Sequence, residues 1–182
     1  VKDIGISALK GAISVPESAI GLADIVTGGA AGRGAEAIGF RPAEAKAILN
    51  DYYSPEQKAA NREVEETKGF VPTIGAMLAN PSTLVQGGVE SLPLMGAGGV
   101  VGRGVLAAAP RISALAGAAI GEGAVGAGSA AEQTRQQTVD GSLSLGQAGA
   151  ALASGIGTGA FAAVGGRLAK KLGIEDIDTA LV

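Results

Sequence analysis

The sequence predicts an all-α fold in which short helices are followed by a long Ala/Gly-rich αα-hairpin. Hydrophobic residues make up 47% of the 182 residues but aromatic residues only 3%, so small aliphatic side chains supply most of the apolar surface. Apolar positions recur with helical spacing, and the period-two alternation that is typical of a half-buried strand is missing over any useful length. Several prolines and small polar residues also stand where helices would begin.

The residue types exclude several kinds of site. The chain has no Cys and no His, which removes disulfides, the usual zinc sites, thiol nucleophiles and His-based catalytic triads. Its 14 basic and 17 acidic residues give a formal net charge of −3, so there is no basic excess for non-specific binding to nucleic acid. We therefore expect no enzyme activity, no metal and no cofactor. The charge does not indicate DNA contact, and the sequence leaves such contact open.

The same composition predicts a thin core. Alanine buries little area, and apolar burial contributes only about 25 cal/mol per Å². Each of the 31 glycines that lies in a helix costs roughly 1 kcal/mol relative to alanine. The chain also begins at Val1 rather than Met, which favours a segment of a larger protein. We expect oligomerisation, the rest of a larger chain or a membrane to complete the core.

Two helical segments are predicted ahead of the apolar part of the chain. Residues 1–40 are predicted to form two short amphipathic helices that Pro16 separates, followed by a turn of small residues. Residues 41–68 are predicted to form polar connector helices, and a capping box of Ser54 and Gln57 opens the second of them. An almost wholly polar helix of this kind is usually a solvated face or a connector.

Residues 69–109 are predicted to form apolar helices that are broken by proline and glycine. Asn80 is expected to cap a helix that begins at Pro81, and Pro93 is expected to break the chain again. These breaks argue against one continuous membrane helix in this segment.

Residues 110–173 are predicted to form the hairpin. Its helices are expected over about 111–138 and about 145–172, with a turn at Asp140-Gly141 between them. A capping box of Ser144 and Gln147 is expected to open the second helix, and Gly173 is expected to end it. A short amphipathic tail is predicted over residues 174–182.

Glycines spaced four residues apart are the strongest pattern for function. Residues four apart share one face of a helix, and glycine there lets a second backbone approach closely. The predicted helix-packing residues of the hairpin are Gly117, Gly121, Gly155 and Gly159. The same spacing relates Gly28 to Gly32 and Gly98 to Gly102. A chain with 31 glycines also produces such pairs by chance, so both interpretations stay open.

An uncharged stretch over residues 141–166 is long enough, at 1.5 Å per residue, to cross a hydrocarbon core of about 30 Å. The basic residues Arg167, Lys170 and Lys171 follow it, as they would at a membrane boundary. The stretch is poor in the Leu, Ile and Phe side chains that favour insertion. A permanent transmembrane helix, a soluble hairpin that enters a membrane later and a buried hairpin all remain open.

Three weaker patterns are interpreted structurally. Glu90-Ser91 is similar to the glutamate–serine pair of lytic transglycosylases, but the following residues do not continue that motif, so Glu90 is taken as a helix-end charge. The glycines of residues 98–104 lack the Gly-Lys-Ser/Thr ending of a phosphate loop. Glu122 is predicted to face solvent, with Arg111 or Arg135 as the alternative partner.

Three stretches of the sequence resemble very large phage internal virion proteins. They are residues 10–22, residues 121–136 followed by Asp140-Gly141, and residues 169–178. These relatives are the DNA ejection proteins of podovirus-like phages, similar to the T7-type internal core protein. Some members carry a transglycosylase domain elsewhere, but this segment has no such motif.

The resemblance implies a structural segment that assembles through helix packing and helps to deliver the viral genome across the host cell envelope. It implies a location inside the capsid first and in the host envelope after ejection. The implied partners are further copies of the chain, other virion or ejection proteins and the host inner membrane. The alternative is a glycine-zipper bacterial protein segment that associates with membranes or forms pores.

Overall fold

The computed structural model describes residues 2–171, apart from the side chains of Phe70 and of residues 168–170. The predicted all-α class is confirmed, because every regular element within this range is a helix. The elements are α1 (Lys2–Thr27), α2 (Ala30–Ala37), α3 (Pro42–Asp51), α4 (Pro55–Glu66), α5 (Phe70–Ala79), α6 (Pro81–Ala108), α7 (Ala114–Gln136) and α8 (Leu145–Lys171). The predicted Gly173 terminus and the tail over residues 174–182 lie outside the described residues.

The predicted break at Pro16 is wrong, because α1 continues through it from Lys2 to Thr27. A proline inside a helix removes one backbone hydrogen bond and crowds the preceding turn, at a cost of about 3 kcal/mol. Ser14, Glu17 and Ser18 flank this proline and are buried. The proline therefore lies in a buried part of α1.

The predicted break at Pro93 is also wrong, because α6 contains this residue within one helix from Pro81 to Ala108. The break before Pro81 is confirmed, since α5 ends at Ala79. Asn80 does not act as the predicted side-chain cap of α6. Its Nδ2 donates to the carbonyl oxygen of Ala76 over 3.0 Å, so the side chain turns back to the end of α5.

Residues 30–37 form helix α2 where a turn of small residues was expected. Gly29, at the N-cap, has no side chain with which to satisfy the first N–H groups of this helix. Asp24 supplies the missing acceptor from the preceding helix. Its carboxylate accepts the N–H of Ala31 at 2.8 Å and the N–H of Gly32 at 3.0 Å.

Serine caps define the starts of three later helices. Ser144 and Gln147 form the predicted reciprocal capping box of α8. Ser54 caps α4 as predicted, but the box is not closed, because the backbone N–H of Ser54 donates to Asp3 instead of to Gln57. The first hairpin helix begins at Ala114 rather than near residue 111, since its cap is Ser113.

The chain divides into two compact units, each built from two chain segments. Unit 1 comprises residues 1–13 and 42–93, and unit 2 comprises residues 14–41 and 94–182. Two of the three boundaries along the chain fall inside α1 and α6, so each of these helices contributes one part to each unit.

The interior of unit 1 is largely polar. Ser7 is fully buried, shares a 2.8 Å hydrogen bond with the Tyr53 hydroxyl and donates to Oε1 of Gln86 over 3.4 Å. Lys10 pairs with Glu90 at 3.2 Å. Glu90 is not the helix-end charge that was predicted, because it lies inside α6. Among the described side chains of this unit, the buried apolar ones include Ile6, Tyr53 and Ala60.

Unit 2 has a small apolar core around the hairpin. Ala131, Leu143 and Ala151 are buried together, with Ile25 and Ala130 packed against them. Two of these three buried residues are alanines, so the core of this unit is as thin as the composition predicts.

Candidate helix-packing site

Helix α7 lies at the centre of three close helix contacts within unit 2. Its contact with α8 is antiparallel, because Ala119 lies against Gly159 while Gly123 lies against Gly155. A Cβ atom built on Gly159 would lie 2.5 Å from the carbonyl oxygen of Ala119, and one built on Gly123 would lie 2.9 Å from that of Gly155. The two backbones therefore touch directly, and glycine is needed on both helices.

The second contact joins α7 to α6, and it takes the other two predicted glycines. A Cβ atom on Gly102 would lie 2.7 Å from the carbonyl oxygen of Gly117, and Gly121 lies directly against the carbonyl oxygen of Gly98. A Cβ atom on Gly117 would also meet the Leu106 side chain at 2.7 Å. These helices also run antiparallel, and the Gly98/Gly102 pair provides the α6 side of the contact.

The four predicted residues are thus all buried but do not share one interface. Gly155 and Gly159 lie between α8 and α7, whereas Gly117 and Gly121 lie between α7 and α6. At each of the four positions an added Cβ atom would come within 3 Å of an atom of a neighbouring helix. The spacing of the glycines did not specify which helix each of them would contact.

The third contact joins α7 to the unit 2 part of α1, and the spacing pattern did not predict it. Gly21 lies against the carbonyl oxygen of Gly128, and Gly128 lies against the carbonyl oxygen of Ser18. One glycine from each helix is enough here, so no four-residue repeat marks the site. In each of the three contacts, α7 approaches the neighbouring helix so closely that the glycine positions have no room for a Cβ atom.

The Gly28/Gly32 pair does not form a packing groove. Gly28 lies between α1 and α2 with φ of +62°, a left-handed conformation that favours glycine. Gly32 lies in α2, where an added Cβ atom would lie directly against Nε of Arg135 and 2.6 Å from Oδ2 of Asp24. These two glycines serve a turn and a helix cap.

A buried charge cluster lies beside the third contact. Arg135 donates from Nε to Glu132 at 2.7 Å and from Nη2 to Glu36 at 2.6 Å, and its Nε lies 3.4 Å from Asp24. The Glu132 and Arg135 side chains are each 2% exposed, and that of Asp24 is completely buried. The hydrogen bond that Arg135 donates to Glu132, followed by the one that it donates to Glu36, raises the pKa of Arg135 further above its ordinary value.

The cluster joins α7 to two other helices of unit 2. Gln136 extends it by donating to Glu132 at 2.9 Å and to Glu17 at 3.2 Å. This cluster was not predicted from the sequence, although the spacing of Glu132 and Arg135 at three residues on one helix is a local indication of it. Burying a charge is costly unless it is paired. Any movement of α1 or α2 that separated its carboxylate from Arg135 would therefore be unfavourable.

Large apolar side chains point away from these contacts. On α8 the most exposed of them include Ile156 at 75% and Phe161 at 81%, whereas Ala151 and Gly155 on the same helix are buried. The other large exposed residues of α6, α7 and α8 are Leu84, Val85, Leu92, Met95, Val100, Val101, Ile120, Leu145, Leu152 and Val164. Apart from Leu143 and its neighbour Ile25, the interior of unit 2 consists mainly of small and charged residues, whereas many large apolar residues of these helices are exposed.

Two helices are long and apolar enough to cross a membrane. They are α6, over Pro81–Ala108, and the Leu145–Arg167 part of α8. Only 11% and 22%, respectively, of the most apolar stretch in each is buried. Among residues 2–171, no group of three or more acidic residues is placed to hold a metal ion.

Comparison of this chain with protein-family models, with curated proteins and with solved structures finds no match.

Proposed function

We propose that this chain is a structural segment of a phage internal virion protein, which assembles through helix packing and helps to deliver the viral genome across the host cell envelope. The observation that carries the proposal is the packing around α7, where backbone contacts the backbone of neighbouring helices while large apolar side chains remain outside. The resemblance of residues 10–22, 121–136 and 169–178 to ejection proteins supplies the viral setting.

The packing supports a role in assembly because the chain leaves much apolar surface uncovered. Contiguous exposed apolar patches mark contacts with proteins or membranes. The glycine contacts, in turn, hold helices together with little buried side-chain area. A segment of this kind gains stability from neighbours, so we propose homo-oligomerisation and contact with other virion or ejection proteins, without a catalytic role.

The proposal places the chain inside the capsid before infection and in the host envelope, at the inner membrane, after ejection. Mass spectrometry of purified virions tests it, in phages whose structural genes include this sequence. We expect peptides from this chain in intact particles and their loss from particles that have ejected their genome. Virions without these peptides would contradict the proposal.

A variant pair tests the contribution of the helix contacts to delivery. Gly159→Leu places a large side chain against Ala119, whereas Gly157 on the same helix has open space around its Cβ position. We expect particles carrying Gly159→Leu to adsorb normally but to deliver less DNA, and those carrying Gly157→Ala to behave like the parent. Equal delivery by both would argue against a role for this packing.

The second candidate function is a glycine-zipper segment of a bacterial protein that associates with membranes or forms pores. The length, composition and low burial of α6 and α8 favour it. Flotation with liposomes, followed by carbonate extraction and by dye release, tests it. Stable insertion together with absence from virions would favour this candidate, and a chain that stays soluble in the presence of lipid would exclude it.

A further inference from the structure

The α6–α7 contact of unit 2 contains one carboxylate. Glu122 lies on α7, next to Gly121, and faces the backbone of α6. A Cβ atom built on Gly98 would lie 2.7 Å from Oε1 of Glu122 and 3.3 Å from its backbone nitrogen. The carboxyl group therefore occupies the space that the missing side chain of Gly98 leaves open. The predicted solvent-facing position is wrong, since the residue is half-buried.

No hydrogen bond or ion pair reaches the Glu122 side chain from residues 2–171. The predicted partner Arg135 is held by Glu132, Glu36 and Asp24 instead, and Arg111 lies in the turn before α7. The charged residues of the surrounding unit 2 helices are Arg103 on α6, Glu17 and Asp24 on α1, Glu132 and Arg135 on α7, and Arg167, Lys170 and Lys171 on α8. None of those whose side chains the structure describes pairs with Glu122.

We propose that Glu122 makes the α6–α7 contact sensitive to protons, so that the two helices pack tightly when its carboxyl is protonated and loosen when it is ionised. An ionised carboxylate in this position loses hydration without gaining a partner, which disfavours the closed contact. A protonated carboxyl carries no such penalty and can donate a hydrogen bond to a neighbouring carbonyl oxygen.

The direction of the effect follows from linkage. Burial raises the pKa of Glu122 above its ordinary value of 4.5 in the folded chain. A carboxyl with a raised folded pKa favours the packed state at pH values below its unfolded pKa. This contribution is lost as the pH rises through the folded pKa. The contact therefore tightens on acidification from neutral pH, and each unit of pKa difference changes its opening equilibrium by about tenfold.

Hydrogen exchange of the full chain tests the proposal, read at the α6 amides of residues 94–108 after correction for the intrinsic effect of pH. We expect these amides to become severalfold more protected between pH 7.5 and pH 5. Glu122→Gln keeps the shape of the protonated side chain and should be protected to a similar degree at both pH values. Glu65→Gln removes the same charge from an exposed position on α4 and should leave the pH response unchanged.

An unchanged pH response in Glu122→Gln, or no pH response in the parent chain, would overturn the proposal. Far-UV circular dichroism establishes that the variants retain the parental helix content. Should Glu122→Gln not fold, ¹³C-detected titration of the Glu122 carboxyl in the unmutated chain decides the matter. A pKa at or below 4.5 would refute the proposal, and a raised pKa whose titration shifts the α6 resonances would support it.

Discussion

The guanidinium Nε of Arg135 lies 3.4 Å from a carboxylate oxygen of Asp24, and both side chains are almost completely buried. Asp24 also accepts N–H groups from the start of α2, so one carboxylate connects α1, α2 and α7 within unit 2. The position of α2 thus depends on a charge that comes from a different helix. Of the substitutions considered below, we therefore expect removal of Arg135 to reduce the stability of the chain most.

Replacing Arg135 with Ala should destabilise the chain strongly. It leaves the buried carboxylates of Asp24 and Glu132 without their cation, and breaking a buried pair in this way costs about 3–5 kcal/mol. Urea unfolding followed by circular dichroism measures the loss. The matched control is Arg33→Ala, which removes an exposed hydrogen bond to the carbonyl oxygen of Gly141 and an electrostatic interaction with Asp140. A loss for Arg135→Ala no larger than that of the control would contradict the structural role of the cluster.

Two glycines of α8 should respond in opposite directions to substitution by alanine. At Gly159 the added Cβ atom would lie 2.5 Å from the carbonyl oxygen of Ala119, and such overpacking costs about 1–3 kcal/mol. At Gly157 the added atom meets nothing within 4 Å, so the higher helix propensity of alanine should stabilise the chain by about 0.5–1 kcal/mol. Thermal unfolding of the two variants compares them, and equal shifts would mean that α8 does not pack on α7 as described.

Removal of the Ser113 hydroxyl should weaken the start of α7. Ser113 Oγ accepts the N–H of Ala116 at 3.2 Å, and replacement of such a cap by Ala typically costs about 1 kcal/mol. Pro110 lies in the preceding turn, so Pro110→Ala should change stability by less than about 0.5 kcal/mol. Denaturant unfolding of both variants makes the comparison. The reverse order would place the helix start at Pro110, as the sequence predicted.

Loss of the Ser54 hydroxyl should change the pKa of Asp3. Hydrogen bonds from the backbone N–H and then the hydroxyl of Ser54 hold the pKa of Asp3 below its ordinary value of 3.8. Ser54→Ala removes only the hydroxyl, so the pKa of Asp3 should rise but remain below 3.8. NMR titration of the carboxyl carbons measures this change. The pKa of Asp140, which Ser142 lowers, should not move and serves as the internal reference.

The lowered pKa of Asp3 also determines how this residue makes the stability of the folded chain depend on pH. A carboxyl whose pKa is lowered on folding favours the folded state at pH values above its unfolded pKa. That contribution is lost as the pH falls through the folded pKa. Ser54→Ala should therefore reduce the acid dependence that Asp3 contributes. Glu122 has the opposite sign, so acidification from neutral pH first strengthens the α6–α7 contact and only at lower pH weakens the Asp3 contact.

Local patterns in the sequence predicted features that are decided within one turn of helix. The capping box of Ser144 and Gln147 and the cap at Ser54 follow from residues three positions apart. The break before Pro81 was likewise predictable, because an Asn-Pro step disfavours helix continuation at that point. In contrast, Pro16 and Pro93 carry the same local penalty without ending their helices, since tertiary packing outweighs it.

The candidate site was predictable only in part. Spacing identified Gly155 and Gly159 as a face for close approach, because residues four apart lie on one side of a helix. Spacing did not identify the partner helix of Gly117 and Gly121. It also missed Gly21 and the Arg135 cluster, whose members lie far apart along the chain.

The helical class, the capped starts of α4 and α8 and the shortage of large side chains for a core follow from the amino-acid sequence, because they depend on composition and on neighbours within about four residues. Tertiary structure alone decided that α7 is the shared partner, that Asp24 caps α2, and that large side chains face outward. These outcomes depend on which backbones can approach most closely and on which buried charges find partners. Both are settled only when segments distant in sequence come into contact.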